Sequence, residues 1–196
     1  PARPLSHYGR SKLLAEEIVL RERASVEVVV LRPCMFYGPP VPMRHVEVYR
    51  RIRSGRMPLV GGGCYDRSVT YIGNLVDACR LALSHPRAAG EVFYIADRNP
   101  CTTKEVVEAM AAALGVEPRY LHLPAAAARL AYAFDRLSAA AGIYVQPLHL
   151  LGEADWNVGV SVEKAAGLMG YEAKVGLREG MRTAVEWCRA QGLLPC

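Results

Sequence analysis

A β-branched and almost wholly apolar run, Val26-Glu27-Val28-Val29-Val30-Leu31, is the feature that most restricts the possible folds of this 196-residue chain. A strand that is buried on both faces has this composition, and such strands occur in parallel sheets covered by helices. A helical stretch from Ser11 to Arg23 precedes the run, and Pro33 and Gly38 end it in a loop. This order of elements predicts an α/β fold with a parallel sheet.

The rest of the chain continues the alternation of helices and strands. Thr102 and Glu105 have the spacing of a capping box, which predicts a helix from there to Leu114, stopped by Gly115. Val46, Tyr49 and Ile52 repeat at helical spacing within a basic stretch at 44–56, which predicts an amphipathic helix. Further helices are predicted at 74–84, after Pro124, after Ser161 and at 177–191, and further strands at 92–96 and 119–123.

Tyr8 and Lys12 are spaced to share one face of the first predicted helix. A cation beside a phenol lowers the pKa of that phenol. A phenol tuned in this way passes a proton to or from a carbonyl or hydroxyl oxygen while hydride moves on the carbon. The pair alone is weak evidence, because a tyrosine and a lysine at this spacing also occur on ordinary helices.

Five segments, in order along the chain, carry a resemblance to a known family. Through them the chain resembles the extended short-chain dehydrogenase/reductase family of NAD(P)-dependent sugar-nucleotide epimerases, dehydratases and 3β-hydroxysteroid-dehydrogenase-like reductases. The segments are Tyr8 with Lys12, Leu31-Arg32-Pro33 running to Tyr37-Gly38-Pro39, Arg67 to Ala78, Gly90 to Ile95, and Ser161 to Tyr171.

The resemblance implies the C-terminal part of a Rossmann-type doubly wound parallel sheet plus a smaller mixed α/β substrate lobe. Residues 1–38 and 68–97 would belong to the dinucleotide-binding domain, and residues 39–67 and 98–196 to the substrate-binding lobe. We expect the family's glycine-rich turn and catalytic serine upstream of Pro1, because the sequence contains no G-x-x-G-x-x-G. Gly61-Gly62-Gly63 predicts a loop, since no helix-forming run follows it.

The family pattern also implies roles for individual residues. Tyr8 would be the general acid/base, and Lys12 would tune it and hold the nicotinamide ribose of NAD or NADP. Pro33 and Cys34 would lie against the nicotinamide. No metal ligands are predicted, because the histidines and cysteines are scattered without metal-binding spacing.

Met35, Tyr37 and Arg67 are the predicted substrate contacts. Sugar-nucleotide members use an arginine at the position of Arg67 for the nucleotide phosphate, although a surface strand residue is the alternative there. Tyr37 is either a core aromatic or a wall of the pocket. Met35 stands where sugar-nucleotide members usually keep an asparagine. The apolar helix from Ala125 to Ala141 resembles the lid of reductases that act on hydrophobic alcohols and ketones.

These features predict an NAD(P)-dependent oxidoreductase acting on a hydrophobic, steroid- or flavonoid-like substrate. A sugar-nucleotide epimerase or dehydratase is the first alternative, and a non-catalytic dinucleotide-binding module is the second. The presence of both Tyr8 and Lys12 favours an enzyme over the module.

The net charge of +5 does not predict a nucleic-acid partner, because the one dense basic stretch is the solvated face of an amphipathic helix. No stretch has the length and composition of a membrane span. Scattered cysteines suit a reducing compartment, so we expect a cytoplasmic protein. The expected partners are a small-molecule substrate and a second copy of the chain in a homodimer.

Overall fold

A computed structural model of the chain describes residue 4 and residues 7–97, 100–143 and 145–195. The helices are His7–Arg21 (α1), Met43–Arg53 (α2), Ile72–Ser84 (α3), Thr103–Leu114 (α4), Ala125–Ala140 (α5), Gln146–Gly152 (α6), Glu163–Met169 (α7) and Leu177–Ala190 (α8). The strands are Val30–Pro33 (β1), Met35–Tyr37 (β2), Met57–Val60 (β3), Asp66–Arg67 (β4), Val69–Tyr71 (β5), Val92–Ile95 (β6), Cys101–Thr102 (β7) and Tyr120–Leu123 (β8).

Parallel pairing of strands that are distant in sequence organises the fold. β1 pairs with β6, β2 with β5 and β3 with β8, all in parallel, while β4 and β7 form a short antiparallel pair. Since parallel strands need a crossover connection, each pair encloses one or more helices along the chain. The predicted α/β class with parallel strands is therefore confirmed.

Three groups of buried side chains hold these elements together. The first covers the β1–β6 pair and is formed by Phe93 and Ile95 of β6, Ala78 of α3, and Ala165 and Met169 of α7. The second joins α2, α4 and α8, with Tyr49, Val107 and Val185 among its members. The third lies between them, where Tyr37 and Val69 of the strands meet Met181 of α8.

α8 approaches the strands closely enough that one position on it must be small. A Cβ atom on Gly180 would lie 2.7 Å from the Tyr71 ring and 2.8 Å from the Tyr37 ring. Both distances are far inside van der Waals contact, so any larger residue would push α8 away from β2 and β5. Gly180 thus sets the spacing between the last helix and the strands that carry the candidate site.

Several helix predictions are confirmed closely. Thr102 caps α4 with the predicted box, and Gly115 ends it in the left-handed conformation. Val46, Tyr49 and Ile52 form the buried face of α2. In the part of the chain that the structure describes, no helix combines the length and the apolar character required to cross a membrane.

The first strand differs from its prediction. β1 begins at Val30 rather than Val26, and its residues Val30, Leu31 and Arg32 are half-buried instead of fully buried. The reason is that β1 pairs with β6 on one edge, and no second partner strand lies on the other edge among the described residues. The apolar composition of β1 is typical of a strand that is buried on both faces, and β1 is less buried than that in this chain.

The division into two lobes at 38/39, 67/68 and 97/98 stays a prediction. α7 lies in the range predicted for the substrate lobe, yet Ala165 and Met169 pack in the core beside β6. Residues 171–175 join the same region through contacts described below.

Candidate active site

Tyr8 and Lys12 lie on the first two turns of α1, and the structure brings them together as the spacing predicts. The Lys12 Nζ atom lies 5.5 Å from the centroid of the Tyr8 ring. Tyr8 is 71% exposed, and Lys12 is exposed as well. A phenol and an ammonium group therefore stand side by side on an open surface, where both can meet a ligand.

A charged clamp attaches α1 to the end of β1. The Arg32 guanidinium donates two hydrogen bonds to the Glu16 carboxylate, from Nε at 2.9 Å and from Nη2 at 2.6 Å. Its Nη1 atom donates to the Tyr94 hydroxyl of β6 at 3.0 Å. The hydrogen bond with Glu16 raises the pKa of Arg32 above its ordinary value, so the guanidinium stays charged. Such bidentate pairs are both strong and geometrically specific.

The clamp fixes the helix that carries Tyr8 and Lys12 relative to the sheet. We expect Glu16→Gln to lower the free energy of unfolding by about 1–2 kcal/mol. The amide carries no charge and has only one oxygen, so it can accept only one of the two hydrogen bonds from Arg32. Urea unfolding measures this loss, and hydrogen–deuterium exchange should show faster exchange along α1. Glu17→Gln is the matched control, since Glu17 is exposed on the same helix. Equal stability of the two variants would contradict a role for the clamp.

The predicted nicotinamide contacts follow β1 directly. Pro33 is exposed at the end of β1, and the Cys34 backbone N–H donates to the Ile95 carbonyl at 3.1 Å. Burial raises the pKa of the Cys34 thiol to about 11, so the thiol is neutral at physiological pH. Met35 comes next and is 50% exposed. In open α/β sheets ligands bind beyond the carboxyl ends of the strands, and these residues occupy such an end.

Tyr37 lies in the core rather than on a surface, being 3% exposed. Its hydroxyl donates a hydrogen bond to Asp97 Oδ2 at 2.8 Å. Burial and the Asp97 carboxylate raise the pKa of Tyr37 well above its ordinary value, so the hydroxyl stays a donor. The sequence left two roles open for Tyr37. In this structure Tyr37 is a core aromatic residue, and its contact with substrate stays a prediction.

Asp97 is the centre of a buried polar network at the end of β6. Its Oδ1 atom accepts hydrogen bonds from the Tyr71 backbone N–H at 2.9 Å and from Asn74 Nδ2 at 2.7 Å. Burial raises the pKa of Asp97, and the hydrogen bonds from Tyr71, Asn74 and Tyr37 oppose that rise. Three donors from three different segments therefore converge on one carboxylate.

Asn74 extends the network to the C-terminal part of the chain. Its Oδ1 atom accepts from the backbone N–H groups of Lys174 and Val175, both at 3.1 Å. Its Nδ2 atom also donates to the Val175 carbonyl at 2.8 Å. Through Asn74 and Asp97, the loop before α8 is tied to the same strand ends that carry the predicted site.

Arg67 is half-buried in β4, and its side chain is engaged inside the protein. Nη2 donates to the Glu153 carbonyl at 2.7 Å, and Nε donates to the Thr103 hydroxyl at 3.3 Å. Burial lowers the pKa of Arg67, while the nearby carboxylates of Glu153 and Asp155 act in the opposite direction. A guanidinium whose Nη2 and Nε groups already donate to the Glu153 carbonyl and the Thr103 hydroxyl is poorly prepared to receive a phosphate.

The glycine cluster forms a short 3-10 turn after β3, in agreement with the predicted loop. All three glycines have positive φ, and added Cβ atoms on Gly61 and Gly63 would meet Tyr65 and Leu59 at 2.6 Å and 2.5 Å. The backbone is thus packed against its own neighbours. It does not form an open cradle of the kind that receives a pyrophosphate.

Glu16 and Asp97 are members of the site region that were not predicted from the sequence. A signal for Glu16 was present, because Tyr8, Lys12 and Glu16 recur every four residues and share one helix face. For Asp97, the only sequence signal was its position directly after the strand predicted at 92–96. Its partners come from positions 26 and 60 residues away, which no local pattern reveals.

Sequence relatives of this chain include several enzymes and a protein of uncharacterised function. A family profile described as the NAD dependent epimerase/dehydratase family matches residues 1–96. The uncharacterised protein, from Sinorhizobium fredii, is 36% identical over 98% of this chain and 56% of its own length. The UDP-glucose 4-epimerase of Vibrio cholerae is 36% identical over 62% of this chain and 38% of that protein. A 2-alkyl-3-oxoalkanoate reductase of Stenotrophomonas maltophilia is 35% identical over 55% of this chain and 34% of that protein.

Solved structures share the fold. An epimerase from Methanothermobacter thermautotrophicus superposes with a TM-score of 0.74 at 17% identity, over 98% of this chain and 53% of that one. The dTDP-glucose 4,6-dehydratase of Bacillus anthracis, solved in complex with NAD, gives a TM-score of 0.69 at 22% identity, over 99% of this chain and 57% of that one.

The chain therefore spans about half the length of the relatives that it matches. The parallel strand pairs agree with the shared fold, and four of the five resembling segments lie within the profile match at residues 1–96. The chain belongs to the NAD-dependent epimerase/dehydratase family, within the extended short-chain dehydrogenases/reductases.

Proposed function

We propose that this chain is the part of an NAD(P)-dependent oxidoreductase that carries the acid/base tyrosine and most of the substrate site, and that the substrate is a hydrophobic ketone or alcohol. The geometry of Arg67 is the observation that carries the choice of substrate. The side-by-side arrangement of Tyr8 and Lys12 supports the choice of reaction.

Tyr8 is the proposed proton donor and acceptor at the substrate oxygen. Its hydroxyl is exposed, so a ketone oxygen can approach within hydrogen-bonding distance without rearrangement of α1. Lys12 places a positive charge beside the ring, 5.5 Å from its centroid. When a ketone is reduced, Tyr8 gives its proton to the carbonyl oxygen, and in the reverse direction it takes that proton back.

The residues at the strand end suit the nicotinamide half of a dinucleotide. NAD or NADP would supply the hydride that is transferred to or from the substrate carbon. Lys12 would donate hydrogen bonds to the ribose hydroxyls, Tyr8 would lie beside the nicotinamide, and Pro33 and the neutral Cys34 thiol would form an uncharged wall beside the ring. The proposal places pyrophosphate binding in the part of the relatives' length that this chain does not span, because the glycine turn at 61–63 is packed against protein.

The surroundings of Arg67 favour a substrate without a nucleotide diphosphate. A phosphate contact would have to displace the hydrogen bonds to Glu153 and Thr103 and overcome the repulsion of two nearby carboxylates. Met35 adds an apolar, half-exposed side chain at the strand end. The reductase relative from Stenotrophomonas maltophilia acts, as its name says, on 2-alkyl-3-oxoalkanoates, which carry a ketone next to alkyl groups.

A sugar-nucleotide epimerase or dehydratase is the second candidate. The match to the UDP-glucose 4-epimerase of Vibrio cholerae favours it, since that relative is 36% identical over 125 residues. Under this alternative, Arg67 would exchange its internal partners for a phosphate when substrate binds.

A substrate panel separates the two candidates. We expect the complete enzyme to reduce hydrophobic ketones with NADH or NADPH, while UDP-sugars and dTDP-sugars neither react nor raise the melting temperature. A ligand at 100 times its Kd stabilises a protein by about 2.7 kcal/mol, so a thermal shift assay detects such binding.

Arg67→Ala and Arg80→Ala are the matched pair of variants for this test. Arg80 is an exposed arginine on α3, remote from the Arg67 partners in sequence. A thermal shift with a nucleotide diphosphate sugar that Arg67→Ala abolishes and Arg80→Ala retains would overturn the hydrophobic substrate in favour of the epimerase or dehydratase.

A further inference from the structure

α5 carries an apolar stripe on its outer side. Leu130, Phe134 and Leu137 follow one another at helical spacing and are 61%, 54% and 67% exposed. We call these three residues the α5 stripe. Arg129 and Arg136 are exposed next to it and precede Leu130 and Leu137 by one residue. An apolar stripe bordered by arginines is the pattern of a helix that lies in a lipid–water interface.

The inner side of α5 holds its one acidic residue. Asp135 is buried and its Oδ2 atom lies 2.8 Å from His149 Nδ1 of α6. The inner residues Ala128 and Ala131 are buried as well. Because this carboxylate is buried, the exposed charged side chains among the described residues of α5 are those of Arg129 and Arg136. Arg129 keeps a long contact of 3.9 Å with Asp155 of the segment after α6, and Arg136 lies over the Tyr132 ring at 6.0 Å.

We propose that the α5 stripe docks the protein on the surface of an anionic lipid bilayer. Leu130, Phe134 and Leu137 insert at the boundary between the headgroups and the acyl chains, and Arg129 and Arg136 contact the headgroup phosphates. Burial of the three apolar side chains supplies the attraction, and the two arginines supply the preference for anionic lipid. This proposal goes beyond the proposed reaction and does not depend on it.

A second copy of the chain is a poorer occupant of the stripe. A stable protein interface buries about 800 Å² on each partner and is built around a broad core. The α5 stripe consists of three side chains with Arg129 and Arg136 along one side, and these like charges would face each other if two antiparallel stripes met in a symmetric dimer. Lipid phosphates complement the same charges.

Vesicle flotation of the complete enzyme tests the proposal. We expect the enzyme to float with vesicles of phosphatidylcholine and phosphatidylglycerol, and to float far less with phosphatidylcholine alone. Phe134→Ser should weaken binding by about tenfold or more, because a large buried apolar side chain is lost from the lipid. Met43→Ser is the matched control, since Met43 lies on α2 and is 52% exposed. Arg136→Glu should weaken binding to the anionic vesicles about fivefold or more, and Arg80→Glu should not.

Failure to float with the anionic vesicles, or equal binding by Phe134→Ser and the wild type, would overturn the proposal. A dimer that Phe134→Ser dissociates would assign the stripe to a second copy and would also overturn it. Reduction of the panel of hydrophobic ketones is measured in parallel without vesicles. Flotation without any ketone reduction would refute the proposed reaction and leave the docking surface intact.

Discussion

Replacing Tyr8 by phenylalanine should lower turnover of the complete enzyme by about 100-fold or more, the usual scale for removing a positioned acid/base. The change removes one exposed hydroxyl and leaves the ring beside Lys12 in place. Steady-state kinetics give the loss in kcat, and titration of the dinucleotide should give nearly the same Kd as for the wild type. Turnover at the wild-type rate would exclude Tyr8 as the proton donor.

Lys12→Met serves as the companion variant. It should reduce turnover and weaken dinucleotide binding together, because Lys12 is proposed to hold the ribose and so to position the nicotinamide beside Tyr8. An unchanged dinucleotide Kd would remove the ribose contact from the mechanism. If both variants bind dinucleotide normally and the wild type turns over nothing, the chain belongs to a dinucleotide-binding module instead of an enzyme.

The parts of the fold that were predictable are those with local chemical signals. The Thr102 and Glu105 capping box satisfies its own helix terminus within four residues, so sequence and structure agree there. On the last helix, which is predicted at 177–191, Met181, Ala184, Val185 and Cys188 recur at helical spacing and are all fully buried. In these cases the pattern and its physical cause lie within one element.

The parts that were not predictable depend on distant partners. Arg67 has an obvious charge, but its hydrogen-bond acceptor, the Glu153 carbonyl, is 86 residues away. The burial of Tyr37 follows from α8, which approaches it through Gly180. Composition suggested full burial for β1, whereas its actual burial depends on which strands pair with it. A sequence pattern specifies what a residue can do, and tertiary contacts decide which of those possibilities is realised.

The Tyr8 and Lys12 pair lies between these extremes. Its spacing predicts that the two side chains meet on one helix face, and the structure confirms that they do. The pair becomes a candidate active site only because the Glu16 and Arg32 clamp attaches that helix to the end of β1. The spacing of Tyr8 and Lys12 brings the two side chains together. The contact between Glu16 and Arg32, which are 16 residues apart, positions the pair at the end of β1.

The buried network around Asp97 should be the most costly polar site to disrupt. Asp97→Ala should lower the free energy of unfolding by about 3 kcal/mol or more, because three buried donors, on Tyr37, Tyr71 and Asn74, lose their acceptor at once. Urea unfolding measures the change. Asp97→Asn is the matched control, since it keeps the shape and an acceptor oxygen, and its loss should be clearly smaller. Equal losses would show that shape rather than hydrogen bonding holds this region.

The same residue should make stability depend on pH. Burial raises the pKa of Asp97 in the folded protein above its ordinary value, so the folded state binds the proton more tightly than the unfolded state does. The stabilisation from this group is therefore complete below the ordinary carboxyl pKa and is lost as the pH rises through the raised one. Unfolding free energies measured across that range should fall with pH in the wild type and lose that component in Asp97→Asn. An identical pH dependence in both proteins would show that the pKa of Asp97 is the same in the folded and unfolded states. The three hydrogen-bond donors would then fully offset the effect of burial on that pKa.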